Sequence, residues 1–307
     1  MATTLATVDR LGRKNLLQAV KLYDPDQEVN FARMLAGNIV DSQQTFEEIA
    51  AYGGLDLPRV TKEYGKPTQT EYEQIYKATY KSVKVMLQFR ISNEAFDDEQ
   101  GYGIVRAYGG DMRAVFQQKM EMDAADQFMN QVNSTLAPFV GPDGVAVASS
   151  AHPLKVGTDS NILSPAETLA PQSVTKMFAR LKKTKAHKGG LMPIVGPGVI
   201  ECSADNELLA RQIMNSVRQQ GENSNSSNEV GRLISDVIGN PYYTNQEWFA
   251  VRTANKRKHK RFLQVREGFT LVSWKYDEDT DSWKATARSR YIFGTMGYRG
   301  AVYSLAS

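Results

Sequence analysis

A chain of 307 residues with 41% hydrophobic and 23% charged side chains has the make-up of a folded protein large enough to bury a real core, in one large domain or two smaller ones. Its net charge of +3 is small for that length, which argues against a dedicated nucleic-acid binder and leaves room only for weak, sequence-blind contact. The single cysteine, Cys202, excludes an internal disulfide, and with only three histidines (His152, His187, His259) no recognised zinc spacing exists.

No apolar run approaches the roughly 20 residues that span a bilayer, so no membrane segment is expected. The opening MATTLATVDRLGRKNLL lacks the apolar stretch of a secretory signal, and a cytoplasm is the expected compartment. Leu11, Leu16, Leu17, Val20 and Leu22 have helical spacing that Asp24-Pro25-Asp26 stops, and Phe31 to Leu35 is a second short helical segment. Residues 1 to about 44 therefore read as an arm with little core of its own.

Residues 45–91 read as extended. Tyr76, Ala78 and Tyr80 alternate with polar residues, as do Val83, Val85, Leu87 and Phe89, the period of a half-buried strand. The charged stretch LDLPRVTKEYGKPTQ makes a tip, so a long hairpin is expected. Ser92 then offers a helix cap, with Asp97, Asp98 and Glu99 in the early turns. Helical spacing from Tyr102 to Leu136, through Tyr108, Met112, Val115, Phe116, Met120, Phe128, Met129 and Val132, predicts a helix of about 50 Å with a kink at Gly109-Gly110 and an end at the FVGPDG turn.

Ser164-Pro165-Ala166-Glu167 looks like the start of a further helix, which closes in the basic run KKTKAHK at 182–188. LMPIVGPGVIECS reads as buried extended chain, with VIECS at a sheet edge. ADNELLARQIMNSVRQQ predicts an amphipathic helix whose buried face carries Leu208, Leu209, Ile213 and Val217, followed by the polar loop GENSNSSN. NKRKHKRF reads as a hairpin tip between WFAVRT and RFLQV. FTLVSWKY and SWKATARSRYIF flank the acidic turn DEDTD as a closing hairpin, in which Trp283, Ala285, Ala287, Ser289, Tyr291 and Phe293 alternate. No internal repeat is present.

This order of parts, with the local sequences ISNEAFDDEQ, SSAHPLKVGTDSNILSPAETL, NPYYTNQEWFAV and RSRYIFGTMGYRGAVYS, resembles the major capsid (head) proteins of tailed bacteriophages, and the second of these is similar to the HP…G…SN…LS segment of Mu-like major head subunits. The resemblance implies an α+β fold of the Hong Kong 97 type. Its parts would be an N-terminal arm (1–44), an E-loop hairpin (45–91), a P-domain with a long spine helix (92–160), an α/β A-domain (161–265) and return strands of the P-domain (266–307). It further implies a structural, non-enzymatic protein without cofactor that self-assembles into hexamers and pentamers of an icosahedral head, assembled in the cytoplasm of a bacterial host and found in the virion. The partners would be further copies of itself, a separate scaffolding protein, a portal, and packaged double-stranded DNA through weak nonspecific contact. The rival readings are an encapsulin-like shell with a protein cargo and a soluble α/β enzyme.

Two groups of residues are candidates for contact. Arg59, Lys62, Glu63 and Lys66 at the hairpin tip would set register between subunits through complementary charge, against the simpler reading of solvated loop charges. Lys256, Arg257, Lys258, Lys260 and Arg261 would touch DNA phosphates or face the capsomer axis, against the reading of a solvated tip. The run at 182–188 reads as a helix terminus favoured by its dipole. Cys202 reads as a small packed residue and His152 as a structural turn residue. No GxxxxGK[ST] loop, no GxSxG elbow and no DxDxDG loop occurs, so nucleotide, serine-hydrolase and EF-hand chemistry have no support. The aromatic stripe Tyr72, Tyr76, Tyr80 reads as strand packing.

Overall fold

The computed structural model describes residues 13–20, 30–44, 46–54, 58, 60–71, 73–98, 102–216 and 228–306. Residues 13–20 are helical. Helix α1 (Phe31–Ala36) and strands β1 (Asn38–Asp41), β2 (Phe46–Tyr52), β3 (Gln74–Lys81) and β4 (Val83–Ser92) follow, then helices α2 (Asn93–Asp98) and α3 (Tyr102–Ala125). The short strands β5 (His152–Pro153) and β6 (Thr158–Asp159) precede helix α4 (Pro171–Lys182), strand β7 (Gly198–Ser203) and helix α5 (Ala204–Asn215). Strands β8 (Ile234–Asn240) and β9 (Phe249–Thr253), helix α6 (Lys256–His259), and strands β10 (Arg261–Asp277), β11 (Ser282–Thr295) and β12 (Ala301–Ser304) complete the chain.

Contacts divide these elements into two compact units. The first takes the described residues of Met1–Phe46, Lys81–Ala124 and Leu263–Phe293. Its sheet has the order β1-β10-β11-β4, and β11 pairs antiparallel with β4, Trp283 opposite Ile91 and Ala287 opposite Leu87. The expected alternation of β11 holds from Trp283 through Ala285, Ala287 and Ser289 to Tyr291, which are buried with half-buried residues between them, and from Tyr291 to Thr295 every position is buried. Trp283 stacks on Trp274 at 5.5 Å and packs beside Phe96, and its indole N–H donates to Asn93 Oδ1 at 3.3 Å. Each such aromatic pair adds roughly 0.5–1.5 kcal/mol beyond the area it buries.

Helix α3 lies in this core through Val105, Met112 and Phe116, while Tyr108 and Val115, expected on the same face, are about half exposed. Gly109 does not break the helix. A Cβ there would come within 2.9 Å of Leu16 Cδ1 and 3.1 Å of Ala19 Cβ, so the glycine lets the helical residues 13–20 lie directly against α3. The arm thus contributes Leu16 to the core. Ser92 caps α2 rather than one long helix, its Oγ accepting from Ala95 N at 3.3 Å.

The second unit takes the described residues of Glu47–Tyr80, Ala125–Phe262 and Gly294–Ser307. Its sheet runs β12-β9-β7-β8, with β7 parallel to β8 and antiparallel to β9, and β9 antiparallel to β12. Strand β7 is buried at every position, and therefore on both faces. Ile200 and Cys202 join Val174, Met177, Phe178 and Leu181 of α4 and Ala210 and Ile213 of α5 in one apolar cluster. Contrary to the edge position expected for VIECS, β7 is an inner strand, as befits a run with so little polar surface.

Further expectations are corrected. Helix α3 gives way at Asp126 to a single π-turn, not to a helix reaching 136. Asn130 is drawn out of the helical path: its amide donates to Asp126 Oδ1 at 2.8 Å and Tyr242 O at 3.0 Å, and its Oδ1 accepts from Thr244 N at 3.0 Å. The helix expected from Pro165 begins at Pro171. Glu167 N donates instead to Ser304 Oγ at 3.0 Å, while Ser173 Oγ accepts from Ala170 N at 2.9 Å and caps the later start. Leu208 and Leu209 of α5 are exposed, and Ala210 with Ile213 forms its buried face. Val217 and most of GENSNSSN lie outside the described residues. Residues 266–307, taken together from the sequence, divide after Phe293, because β12 completes the sheet at β9.

Candidate functional site: an exposed ribbon and a basic cleft

Strands β2 and β3 form a two-stranded ribbon, tied by an ion pair between Lys77 and Glu48 at 2.7 Å. The loop end of the paired strands is fixed within the second unit. Tyr76 Oη donates to Pro153 O at 2.6 Å, Lys155 pairs with Glu73 at 2.8 Å, and Gly53 N donates to Glu73 O at 2.9 Å. Lys155 is the first cause holding the Glu73 carboxyl below its ordinary value. Between the strands, residues 61–69 are exposed without helix or strand, turning where Gly65 N donates to Lys62 O at 2.8 Å. Val60 and Tyr64 are fully solvated, at 104% and 99% exposure. Of the expected contact residues, Lys62, Glu63 and Lys66 are exposed on this loop, and Arg59 lies outside the described residues.

The basic run Lys256–Arg261 is not a hairpin tip. It forms the one-turn helix α6, whose Asn255 side chain accepts from Arg257 N at 3.0 Å, and it leaves the helix through left-handed Lys260 (φ 54°). Lys256, Arg257, Lys258 and Lys260 are exposed.

Arg261 is not available to any ligand, which corrects its place in the cluster. It starts β10 with 2% of its side chain exposed and donates from Nη1 to both Glu201 carboxylate oxygens at 2.9 and 2.7 Å. Arg252 also donates to Glu201, and Arg261 Nη2 reaches Tyr303 Oη at 3.0 Å. Burial alone would raise the Glu201 carboxyl, but the Arg261 and Arg252 guanidiniums hold it below the ordinary range. The neighbouring His259 is pushed down to about 3 by burial and then by Arg261 and Arg252. These are structural charges.

The remaining basic residues meet others that no local spacing joins to them. Helix α4 ends at Lys182, and the following turn carries His187 and Lys188 to the side of α6. Together with Arg257, Lys258, Lys260 and Arg299 they line an open cleft of about 460 Å³ whose apolar part is Met192, Pro193 and Ile194. Among the described residues lining it there is no carboxylate. Partial desolvation at the cleft, and then Arg299, pushes the Lys260 ammonium below its usual value. Burial likewise lowers the His187 imidazole, opposed by Glu73 and reinforced by Arg299, Lys155 and Lys188.

The HP…G…SN segment builds a polar hub nearby in sequence. Both ring nitrogens of the buried His152 face oxygen atoms, Asp143 Oδ2 at 2.6 Å and Asn161 Oδ1 at 3.0 Å, and the ring stacks on Tyr298 at 3.7 Å. Asn161 also donates to Val147 O and accepts from Ser149 N, so this histidine holds loops together. Cys202 is buried, its thiol pushed up to about 12 by burial and then by Glu207, which makes it a poor nucleophile. Tyr80 is packed edge-on against Phe262 at 4.9 Å, while Tyr72 lies outside the described residues. Asp97 and Asp98 belong to α2, and Glu99 lies outside the described residues. Among the described residues no three His, Cys, Asp or Glu side chains are placed to hold a metal ion, and no helix is long and apolar enough to cross a membrane.

No family model and no curated protein matches the sequence. Solved structures do match it in shape. The chain is similar to the capsid of cyanophage A-1(L), with a TM-score of 0.54 and 12% identity over 92% of this chain and 94% of that one. It is similar to the capsid of cyanophage P-SCSP1u at 0.54, with 10% identity over 87% and 85%. It is also similar to a phage-related protein from Bordetella bronchiseptica RB50 at 0.52, with 11% identity over 94% of both chains. The chain has the α+β fold of phage capsid subunits.

Proposed function

We propose that this chain is the major capsid subunit of a tailed bacteriophage, a structural protein that assembles into hexamers and pentamers of an icosahedral head around double-stranded DNA. The observation that carries this reading is the end-to-end similarity to phage capsids, which covers about nine-tenths of both chains and not one domain alone. The loop at 61–69 supports it, because an exposed segment without helix or strand gains order from a partner surface. Solvated Val60, just before it, and Tyr64 on it are apolar groups that a neighbouring copy would cover.

On this reading residues 1–44 are the arm, 45–91 the E-loop, 92–160 the spine-helix part of the P-domain, 161–265 the A-domain, and 266–307 the return strands of the P-domain, except that β12 serves the A-domain sheet. Further partners are a separate scaffolding protein and a portal, assembly takes place in the bacterial cytoplasm, and the product resides in the virion. Contact with DNA is weak and sequence-blind, as a net charge of +3 suits.

Electron microscopy of the purified chain, alone and co-expressed with the scaffolding protein of its own phage, tests the reading. Closed shells of uniform diameter are expected. A globular monomer in both preparations would overturn it.

A further inference from the structure

We propose that the cleft between the 186–194 turn, helix α6 and Arg299 is a phosphate-binding site. Five basic side chains, Lys188, Arg257, Lys258, Lys260 and Arg299, converge with His187 on one concave surface, and no acidic side chain among the described residues lines it. Charges of one sign in a cleft with apolar walls focus the field inward and raise the local concentration of counter-anions. No carboxylate among the described residues pairs with Arg257, Lys258 or Lys260. Two lining residues also carry a buried nitrogen without a hydrogen-bond partner, His187 Nδ1 and Arg299 Nη2. Such atoms are uncommon in folded proteins and call for a partner.

The backbone that carries Lys258, Lys260 and Arg299 is held in place. Gly300 adopts φ +98°, and a Cβ there would lie 2.6 Å from Lys258 O and from His259 Cα, so only glycine lets the Arg299 turn touch α6. Thr253 N donates to Gly300 O at 2.9 Å and Met296 N to Lys260 O at 3.0 Å, fixing the same junction. Arg299 Nε donates to Lys185 O at 2.8 Å and its guanidinium lies 4.8 Å from the centre of the Tyr298 ring, which joins the third segment. Basic side chains carried on one fixed junction favour a compact, multiply charged oxyanion. A phosphate offers more charge and more acceptor oxygens than one carboxylate, and both arginine and lysine bind it well.

The source of the phosphate is either the backbone of packaged DNA or a free phosphate ion. The first rests on the head-shell reading above, while the site's own chemistry does not. Isothermal titration of the full chain with pyrophosphate, at ionic strength matched with chloride, measures the site directly. Saturable binding is expected, weakened at least about tenfold in Arg257→Gln/Lys258→Gln and unchanged in Lys84→Gln, an exposed lysine of the first unit. A short DNA duplex that displaces pyrophosphate identifies the backbone as the source. A duplex that leaves it bound identifies free phosphate, and both results support the site.

No saturable binding, or equal binding by the double variant with its circular dichroism unchanged, overturns the proposal. Binding of an oligoglutamate where pyrophosphate fails also overturns it, in favour of an acidic peptide. Electron microscopy of the same samples reads assembly separately. Shells that do not bind pyrophosphate sink only this inference, and binding by a chain that never assembles sinks only the shell reading.

Discussion

Arg261 grips both oxygens of the Glu201 carboxylate from one guanidinium nitrogen, at 2.9 and 2.7 Å, with both side chains essentially closed to solvent. Arg252 completes the group from the neighbouring strand. Removing the one anion strands two buried cations, and breaking a buried ion pair from one side costs about 3–5 kcal/mol. Glu201→Gln is expected to lower the urea midpoint at pH 7 accordingly. Because the folded carboxyl titrates below its ordinary value, its contribution is present above the ordinary carboxylate range and is lost as pH falls through the folded value. The two proteins should therefore converge in strong acid.

His259 gives a second pH signature. Its Nδ1 accepts from Arg261 N at 3.2 Å, and its folded value of about 3 lies far below that of an exposed imidazole near 6.5. Between those two values the unfolded chain holds a proton that the folded chain refuses, so stability falls as pH falls, by at most about 1.4 kcal/mol per pH unit from this group. His259→Asn keeps an acceptor for Arg261 N and removes the titration. Urea midpoints measured from pH 7 to pH 4 should fall less steeply for the variant, and equal slopes would refute the assignment.

Gly300→Ala combines a positive φ with a backbone contact at 2.6 Å. Such strain costs about 1–3 kcal/mol. Amide hydrogen exchange should show the loss of protection concentrated at residues 253–260, where the turn rests, and an effect spread evenly over the chain would argue against this contact.

Charge reversal on the ribbon separates folding from assembly. Lys62, Glu63 and Lys66 are exposed and outside any helix or strand, so Lys62→Glu/Lys66→Glu should shift stability by no more than about 0.5 kcal/mol. On the shell reading, light scattering should show slower assembly in the same variant, with full-rate assembly counting against a role for these charges.

Local pattern made some of this structure legible and left other parts hidden. The alternation from Trp283 to Tyr291 is legible because one face of β11 meets an apolar core there, so burial follows a period of two until both faces close over residues 291–295. The buried triad is not, because Arg261 stands in a basic run and Glu201 in an apolar strand, and only the β7–β9 register brings Arg252 beside that carboxylate. The start of α4 was misplaced for the same reason: Ser304, far along the chain, takes the backbone of Glu167 that a helix from Pro165 would need. The cleft was half legible. Lys256 to Lys260 stand out in the sequence as a basic cluster, whereas the meeting with His187, Lys188 and Arg299 depends on turns that no local spacing encodes.

Strand β12 is the last part of its sheet to leave the ribosome, and β9 waits for it with an open row of amides and carbonyls. During translation that edge is a template for any neighbouring nascent chain, a hazard that grows with the crowding of polysomes. On the shell reading, which calls for many copies at once, chaperone cover until residues 301–304 dock guards that edge, and a chain truncated before Ala301 is expected to pellet on centrifugation.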